Sequence, residues 1–215
     1  MKGFMKCLST LCIKSGILYW CLLFVFPLSV RSQSTGMING HEYVDLGLPS
    51  GLKWATCNVG ASRPEEYGDY YAWGETLLKP IYEEFTSITY GKRLGNISGD
   101  HRYDVARSEW GSSWRLPTKG ECEELLEKCK WEWTTVGGHK GYRVTGSNGN
   151  FIFLPATGMN FDSSVVLEDE FGYYWTASPI RRGATKAYTL VIHAGYHSVD
   201  DYGRCSGQGV RPVSD

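Results

Sequence analysis

Two histidines, His193 and His197, stand in H-x-x-x-H spacing, which on a helix would put both imidazoles on one face for a metal ion. They follow the run Leu190-Val191-Ile192, which reads as a strand. Four strand residues span about 13 Å, too far for one ion, so no metal is expected there. Glu168-Asp169-Glu170 and Asp200-Asp201 carry the hard oxygen donors that calcium takes. Acidic runs between apolar segments are equally the mark of solvated loops, and that reading is preferred. Gly146-Ser147-Asn148-Gly149 lacks the G-x-S-x-G spacing of a nucleophile elbow, and no P-loop or dinucleotide fingerprint occurs. The sequence therefore predicts no catalytic residue, no cofactor and no metal.

Cysteine chemistry depends on which part of the chain is retained. Lys2, Lys6 and Lys14 precede an uncharged apolar run from Gly16 to Val30, with small or polar residues after it. This is the pattern of a secretory signal peptide, and the run is shorter than the roughly 20 residues that span a bilayer. Residues 1–32 are read as the signal, with cleavage after Ser32 and a new N-terminus at Gln33. A lipid-anchored alternative at Cys21 is weaker, because Leu18-Tyr19-Trp20 precedes it where small residues would be needed. Export to the periplasm, the outer cell surface or the medium is expected, with no membrane association after cleavage. Cys57, Cys122, Cys129 and Cys205 then remain, an even number that suggests disulfides in an exported chain. Cys122 and Cys129 lie about 10 Å apart along a predicted helix, beyond disulfide reach. The other pairings stay open, as do free buried thiols. Zinc is disfavoured because no close Cys-Cys or His-Cys pair occurs.

Removing residues 1–32 takes away Lys2, Lys6, Lys14 and Arg31 and no acid, leaving 18 of the 22 basic residues against 23 acidic ones, a net charge of −5. That balance argues against a nucleic-acid or anionic-membrane partner. The remaining 183 residues suit one domain, with a short linker over 33–38 and the domain over 39–215.

The elements that would position any site are short. Glu42–Leu46 and Leu52–Cys57 alternate as half-buried strands do. Thr118-Lys119-Gly120-Glu121 has the form of a capping box opening a helix to about Cys129, with Cys122, Leu125, Leu126 and Cys129 on one face. A short helix is expected near Asp104–Trp110. Tyr142–Thr145 and Phe151–Leu154 flank Asn148-Gly149, the preferred dipeptide of a type I′ hairpin turn. Further strands are expected at Gly172–Ser178, Lys186–His193 and Gln208–Val213. The fold class is α+β, mainly antiparallel sheet with one or two short helices. Trp110, Trp114, Arg115 and Pro117, and the Val-Arg-Pro at 210–212, read as scaffold.

Asn39–Ala61, the run Tyr67-Gly68-Asp69-Tyr70-Tyr71-Ala72-Trp73-Gly74-Glu75, Trp110–Thr118, Gly172–Ser178 and Gly209-Val210-Arg211-Pro212-Val213 together resemble the Fibrobacter succinogenes major paralogous domain. That family is abundant in exported proteins of Bacteroidetes and Fibrobacteres. The chain is also similar to the C-terminal domain of bacterial collagen-like adhesins and, more distantly, to the C-type-lectin-like fold. The resemblance implies a compact lectin-like domain in which Tyr43–Leu46 pairs with Gly209–Val213. It implies a Cys57–Cys129 disulfide, with Cys122–Cys205 as a second pair. The implied binding face consists of the loops Gly158–Glu170, Ser178–Lys186 and Gly195–Gln208. Its ligand-binding residues would be Tyr196, His197, Asp200, Asp201 and Tyr202, two rings that stack on a sugar or apolar group and carboxylates that accept its donors. The implied function is a non-catalytic binding or adhesion module for a glycan or protein at the bacterial surface. The Glu-Pro-Asn and Trp-Asn-Asp motifs of calcium-dependent sugar-binding lectins do not occur. The alternatives are an oxidase related to formylglycine-generating enzymes, whose copper needs two cysteines where this chain has only Cys205, and a structural surface subunit.

Overall fold

A turn at Asn39-Gly40 opens the fold. Both residues have positive φ (46° and 82°), as a type I′ turn requires. It joins β1 (Thr35–Ile38) to β2 (His41–Asp45) with Ile38 opposite His41. The structure is a computed structural model and describes residue 33 and residues 35–215; the expected signal peptide over residues 1–32 lies outside the described residues. β3 (Lys53–Ala55) pairs with β2, and the last strand, β12 (Val213–Ser214), pairs with β3 through Val213–Trp54 and Ser214–Lys53. The expected pairing of Tyr43–Leu46 with Gly209–Val213 does not form. The chain turns back within Gly47–Leu52, so β3 takes the edge of β2 and separates the first and last strands within one four-stranded antiparallel sheet.

Two helices follow. Asp104 caps α1 (Val105–Trp110) by accepting from the Arg107 amide. α2 (Lys119–Lys128) begins with the capping box read from the sequence: the Glu121 amide donates to Thr118 Oγ1 and the Thr118 amide to the Glu121 carboxylate. Its Cys122 and Leu125 are buried, and Leu126 and Cys129 pack beside them. A meander of β4 (Lys130–Val136), β5 (His139–Thr145) and β6 (Phe151–Pro155) comes next. β5 and β6 meet at Thr145–Phe151, but Gly146–Asn150 is a longer loop than the two-residue turn expected. Asn148 lacks the positive φ of a type I′ turn and instead donates its amide to the Asp45 carbonyl at 2.8 Å.

The third sheet has the order β11-β10-β9-β7-β8, with β7 (Thr157–Phe161), β8 (Ser164–Glu168), β9 (Phe171–Pro179), β10 (Lys186–His193) and β11 (Tyr196–Gly203). It is antiparallel except where β7 meets β9 at Gly158 and Gly172. Gly158 (φ 63°) is needed there, because a Cβ would stand 2.2 Å from the Val166 carbonyl oxygen. Two of the three loops expected as a binding face are thus hairpin strands. Gly158–Glu170 holds β7 and β8, and Gly195–Gln208 holds β11. Ser-Val-Asp-Asp reads as a polar loop, yet Val199 faces the core opposite Leu190 and fixes the alternation of a strand.

The described residues form one compact α+β unit with two apolar clusters. One joins the first sheet, α2, the meander and the inward side of β9 and β10; the other is built around Trp73, Trp114 and Trp175. The chain from Gln208 to Val213 runs between them. Its Arg211 is wholly buried and donates to Asn58 Oδ1, to the carbonyls of Ala55 and Thr56, and to that of Phe153, at 2.7–3.1 Å. Arg115 grips both oxygens of Glu121 at 2.8 and 2.9 Å and reaches Asp215 at 2.6 Å. Both arginines are scaffold, as their sequence context predicts.

Candidate ligand-binding site

β11 is an edge strand, and its alternation divides the five expected ligand residues between two faces. His197, Val199 and Asp201 share the inward side. The His197 ring stacks on Trp131 at 4.7 Å and 8° and meets Tyr142 edge-on at 5.3 Å. Burial pushes its pKa below the usual histidine value, so it is neutral at pH 7. His197 is a core ring and not part of an open face. Asp201 is tied to Lys186 at 2.7 Å.

Tyr196, Ser198, Asp200 and Tyr202 share the opposite, outward side, which is open at Tyr196 and closes toward Tyr202, where its β10 neighbours Thr189 and Ala187 are buried. Strand register puts Phe171 of β9 opposite His193 of β10, and His193 opposite Tyr196 of β11. The three rings form a cross-strand row, with Phe171 to His193 at 4.7 Å and His193 to Tyr196 at 4.9 Å, the latter stacked at 23°. Tyr202 packs edge-on against Tyr173 at 5.0 Å and lies against the tryptophan-rich cluster. Tyr196 is 44% exposed. Asp200 Oδ2 accepts from Ser198 Oγ at 2.7 Å and from the Tyr196 hydroxyl at 3.5 Å. The stacked pair His193 and Tyr196, with Phe171 tilted at 47° to His193 and a carboxylate beside them, can cover one side of a ligand and accept hydrogen bonds from its edge. Phe171 and His193 were not among the expected residues. The signal for His193 was the Ala194-Gly195 pair between two alternating runs, which sets Tyr196 opposite it; Phe171 needs the register of a third strand.

The same geometry disposes of the His193–His197 metal reading, since the two rings lie on opposite sides of the sheet. Among the described residues, no three His, Cys, Asp or Glu side chains are grouped to hold an ion. The acidic run at 168–170 is the end of β8 and the turn after it: Glu168 pairs with Thr157, and Asp169 has φ 59° and accepts from the Lys140 amide at 2.7 Å.

All four described cysteines are free thiols. The expected Cys57–Cys129 and Cys122–Cys205 bonds are not formed, because the thiols stand in different surroundings. Cys122 is buried in the first cluster, and Cys129 packs at its side. Cys205 lines a hollow with Tyr82, Phe85 and Phe161. Cys57 lines another, of about 370 Å³, with His41, Glu42 and Trp110. Burial pushes the Cys122 thiol far up and that of Cys129 to about 11. Cys57 and His41 do not make a nucleophile–base pair. The His41 ring lies flat on Trp110 at 3.8 Å, and the Cys57 sulfur contacts the Thr56 hydroxyl instead.

A second exposed surface lies elsewhere in the sequence. Leu77 (77% exposed), Leu78, Phe85 (79%) and Ile88 come from one loop and Phe161 from the β7–β8 hairpin. The two segments are joined by paired backbone hydrogen bonds between Tyr82 and Asp162.

No family model, curated protein or solved structure matches the chain.

Proposed function

We propose that this chain is an exported, non-catalytic binding module of lectin-like build, belonging to the family its motifs resemble, and that it takes a glycan at the bacterial surface. The observation that carries this reading is the cross-strand row Phe171–His193–Tyr196 with Asp200 beside it. A sugar presents apolar C–H faces to aromatic rings and hydroxyl donors to a carboxylate. Asp200 Oδ1 makes no hydrogen bond among the described residues, whereas Oδ2 is engaged by Ser198.

The test is a glycan array probed with the full chain and with Tyr196→Ala, followed by calorimetry on each hit. Hits should weaken at least tenfold in the variant while its melting temperature stays close to that of the parent. Undiminished binding by Tyr196→Ala would put the ligand face elsewhere.

A protein ligand is the second reading, favoured by the exposed Phe85 and Phe161, which line one hollow, with Leu77, Leu78 and Ile88 exposed on the same loop as Phe85, since grouped exposed apolar side chains mark contact sites. Leu77→Ser with Phe85→Ser separates the two readings: it should abolish binding to a protein hit and leave a glycan hit unchanged.

A further inference from the structure

A hollow of about 580 Å³ lies between two loops, Arg93-Leu94 on one side and Pro179–Ala184 on the other. Arg93, Arg181 and Arg182 line it, and none of its eight lining residues is acidic. Among the described residues, none of these three arginines makes an ion pair or a side-chain hydrogen bond. Other arginines of the chain do: Arg63, Arg102 and Arg115 are each paired with a carboxylate. In a sequence whose acids slightly outnumber its Lys and Arg, 23 against 22, three guanidinium groups without counter-charges at one hollow are unusual.

The loops are held in place from beneath. The Gly91 amide donates to the Ala184 carbonyl at 2.9 Å, and the Arg204 amide to Thr185 at 2.8 Å. The Arg204 side chain is wholly buried and joins both loops, with Nη1 donating to the Lys92 carbonyl at 2.8 Å and Nε to that of Lys186 at 3.1 Å. Its guanidinium lies 4.1 Å from the Trp73 ring centroid, and its partners are carbonyls. A fourth positive charge, permanent at any physiological pH, therefore sits under the same loops. Like charges at this density repel one another, and an anion in the hollow turns that repulsion into attraction. Guanidinium forks fit the oxygens of sulfate, phosphate or carboxylate in a bidentate manner. Leu94, Pro179 and Ile180 add an apolar wall.

We infer that the hollow between Arg93 and Pro179–Ala184 binds an oxyanion-bearing ligand, a sulfate, phosphate or carboxylate group attached to a short apolar portion. The site shares no residue with the aromatic row and stands independently of the glycan reading.

The experiment titrates the full chain at low ionic strength with inorganic sulfate, inorganic phosphate, hexanoate and hexyl sulfate, read by calorimetry or NMR. The four probes distinguish the anion sources, and comparing hexyl sulfate with sulfate isolates the apolar wall. Hexyl sulfate should bind more tightly than sulfate. Arg181→Gln with Arg93→Gln should weaken hexyl sulfate binding about tenfold or more, the loss expected for a charge-assisted contact. Tyr196→Ala should leave anion binding unchanged, so failure here is distinct from failure of the glycan reading. Arg63→Gln with Arg102→Gln removes equal charge elsewhere and should change affinity less than twofold. Equal losses in this control would mean unspecific attraction and overturn the inference. So would unchanged affinity in the Arg93/Arg181 variant, or no detectable binding of any of the four probes.

Discussion

The seam around the C-terminus and the outward side of β11 are built from similar residue types and used in opposite ways. In the seam, polar valences are filled from within the chain. Arg211 donates to three carbonyls and Asn58, Arg115 holds Glu121 and Asp215, and Asp104 accepts from the amides of Gly99, Arg107 and Leu116. On the outward side of β11, Ser198 and the Tyr196 hydroxyl reach only Asp200, and the Tyr196 ring is 44% exposed. The difference separates architecture from function within one domain. A buried polar group whose partners are all internal stabilises the fold. One with unused donors or acceptors at the surface is available to a ligand.

The strongest test of that contrast is Arg211. Arg211→Ala leaves the carbonyls of Ala55, Thr56 and Phe153 without their buried donor and opens a cavity, for a loss of about 3–5 kcal/mol in urea unfolding. Arg181→Ala should change stability by less than about 0.5 kcal/mol, as surface substitutions usually do. Equal losses at the two positions would erase the distinction.

Arg115 gives the next effect, and it depends on pH. Burial pushes the Glu121 carboxyl up, but hydrogen bonds from Arg115 and the Thr118 amide outweigh it and hold the pKa below the usual value. The hydrogen bond from Arg115 lowers Asp215 as well. Carboxyls depressed in the folded state contribute stability above their unfolded pKa, near 4, and lose it as the pH falls through the folded value. Arg115→Gln should cost about 1–3 kcal/mol at pH 7. Its stability should also fall less steeply than the parent's below about pH 4. A parallel pair of pH–stability curves would show that the ion pair contributes nothing to acid lability. Asp215 is largely exposed, so most of the effect should come from Glu121.

Much of the scaffold was legible from sequence, because local chemistry decides it. The capping box at Thr118 and Glu121, the apolar face of α2 and the paired strands β5 and β6 follow from spacing alone. Partner choice was not. Nothing in Tyr43–Leu46 says that Lys53–Ala55 will take its edge before the last strand arrives, and a two-residue β12 leaves little pattern to read. The Asn-Gly signal was assigned at 148–149, where the Asn148 side chain is drawn to Asp45; the dihedrals it implies occur at Asn39-Gly40. The candidate site was half legible. Tyr196 and Asp200 carry the right groups, but calling their segment a loop put His197 on the wrong side. The arginine hollow was invisible because Arg93 and Arg181 lie far apart in the chain and their loops are joined only by long-range contacts, the backbone bond from Gly91 to Ala184 and the Arg204 side chain.

Adjacent residues on β11 give the finest version of the contrast. His197 and Tyr196 differ by one position and therefore by a whole face of the sheet. His197→Ala removes a ring stacked on Trp131 in the first cluster and should cost about 1–3 kcal/mol. It also removes a pH term. A histidine kept neutral by burial contributes stability above its unfolded pKa, near 6.5, and loses it as the pH falls toward the folded value. The variant should thus lose less stability than the parent between pH 7 and 5. His41, lowered in the same way by burial, keeps part of that slope. Tyr196→Ala, by contrast, removes a ring already 44% exposed and should cost no more than about 0.5 kcal/mol with the pH slope intact. Chemical denaturation of both variants at pH 5 and pH 7 reads all four values. If Tyr196→Ala proves the more damaging of the two, its ring is structural and the cross-strand row is a second core, not an open face.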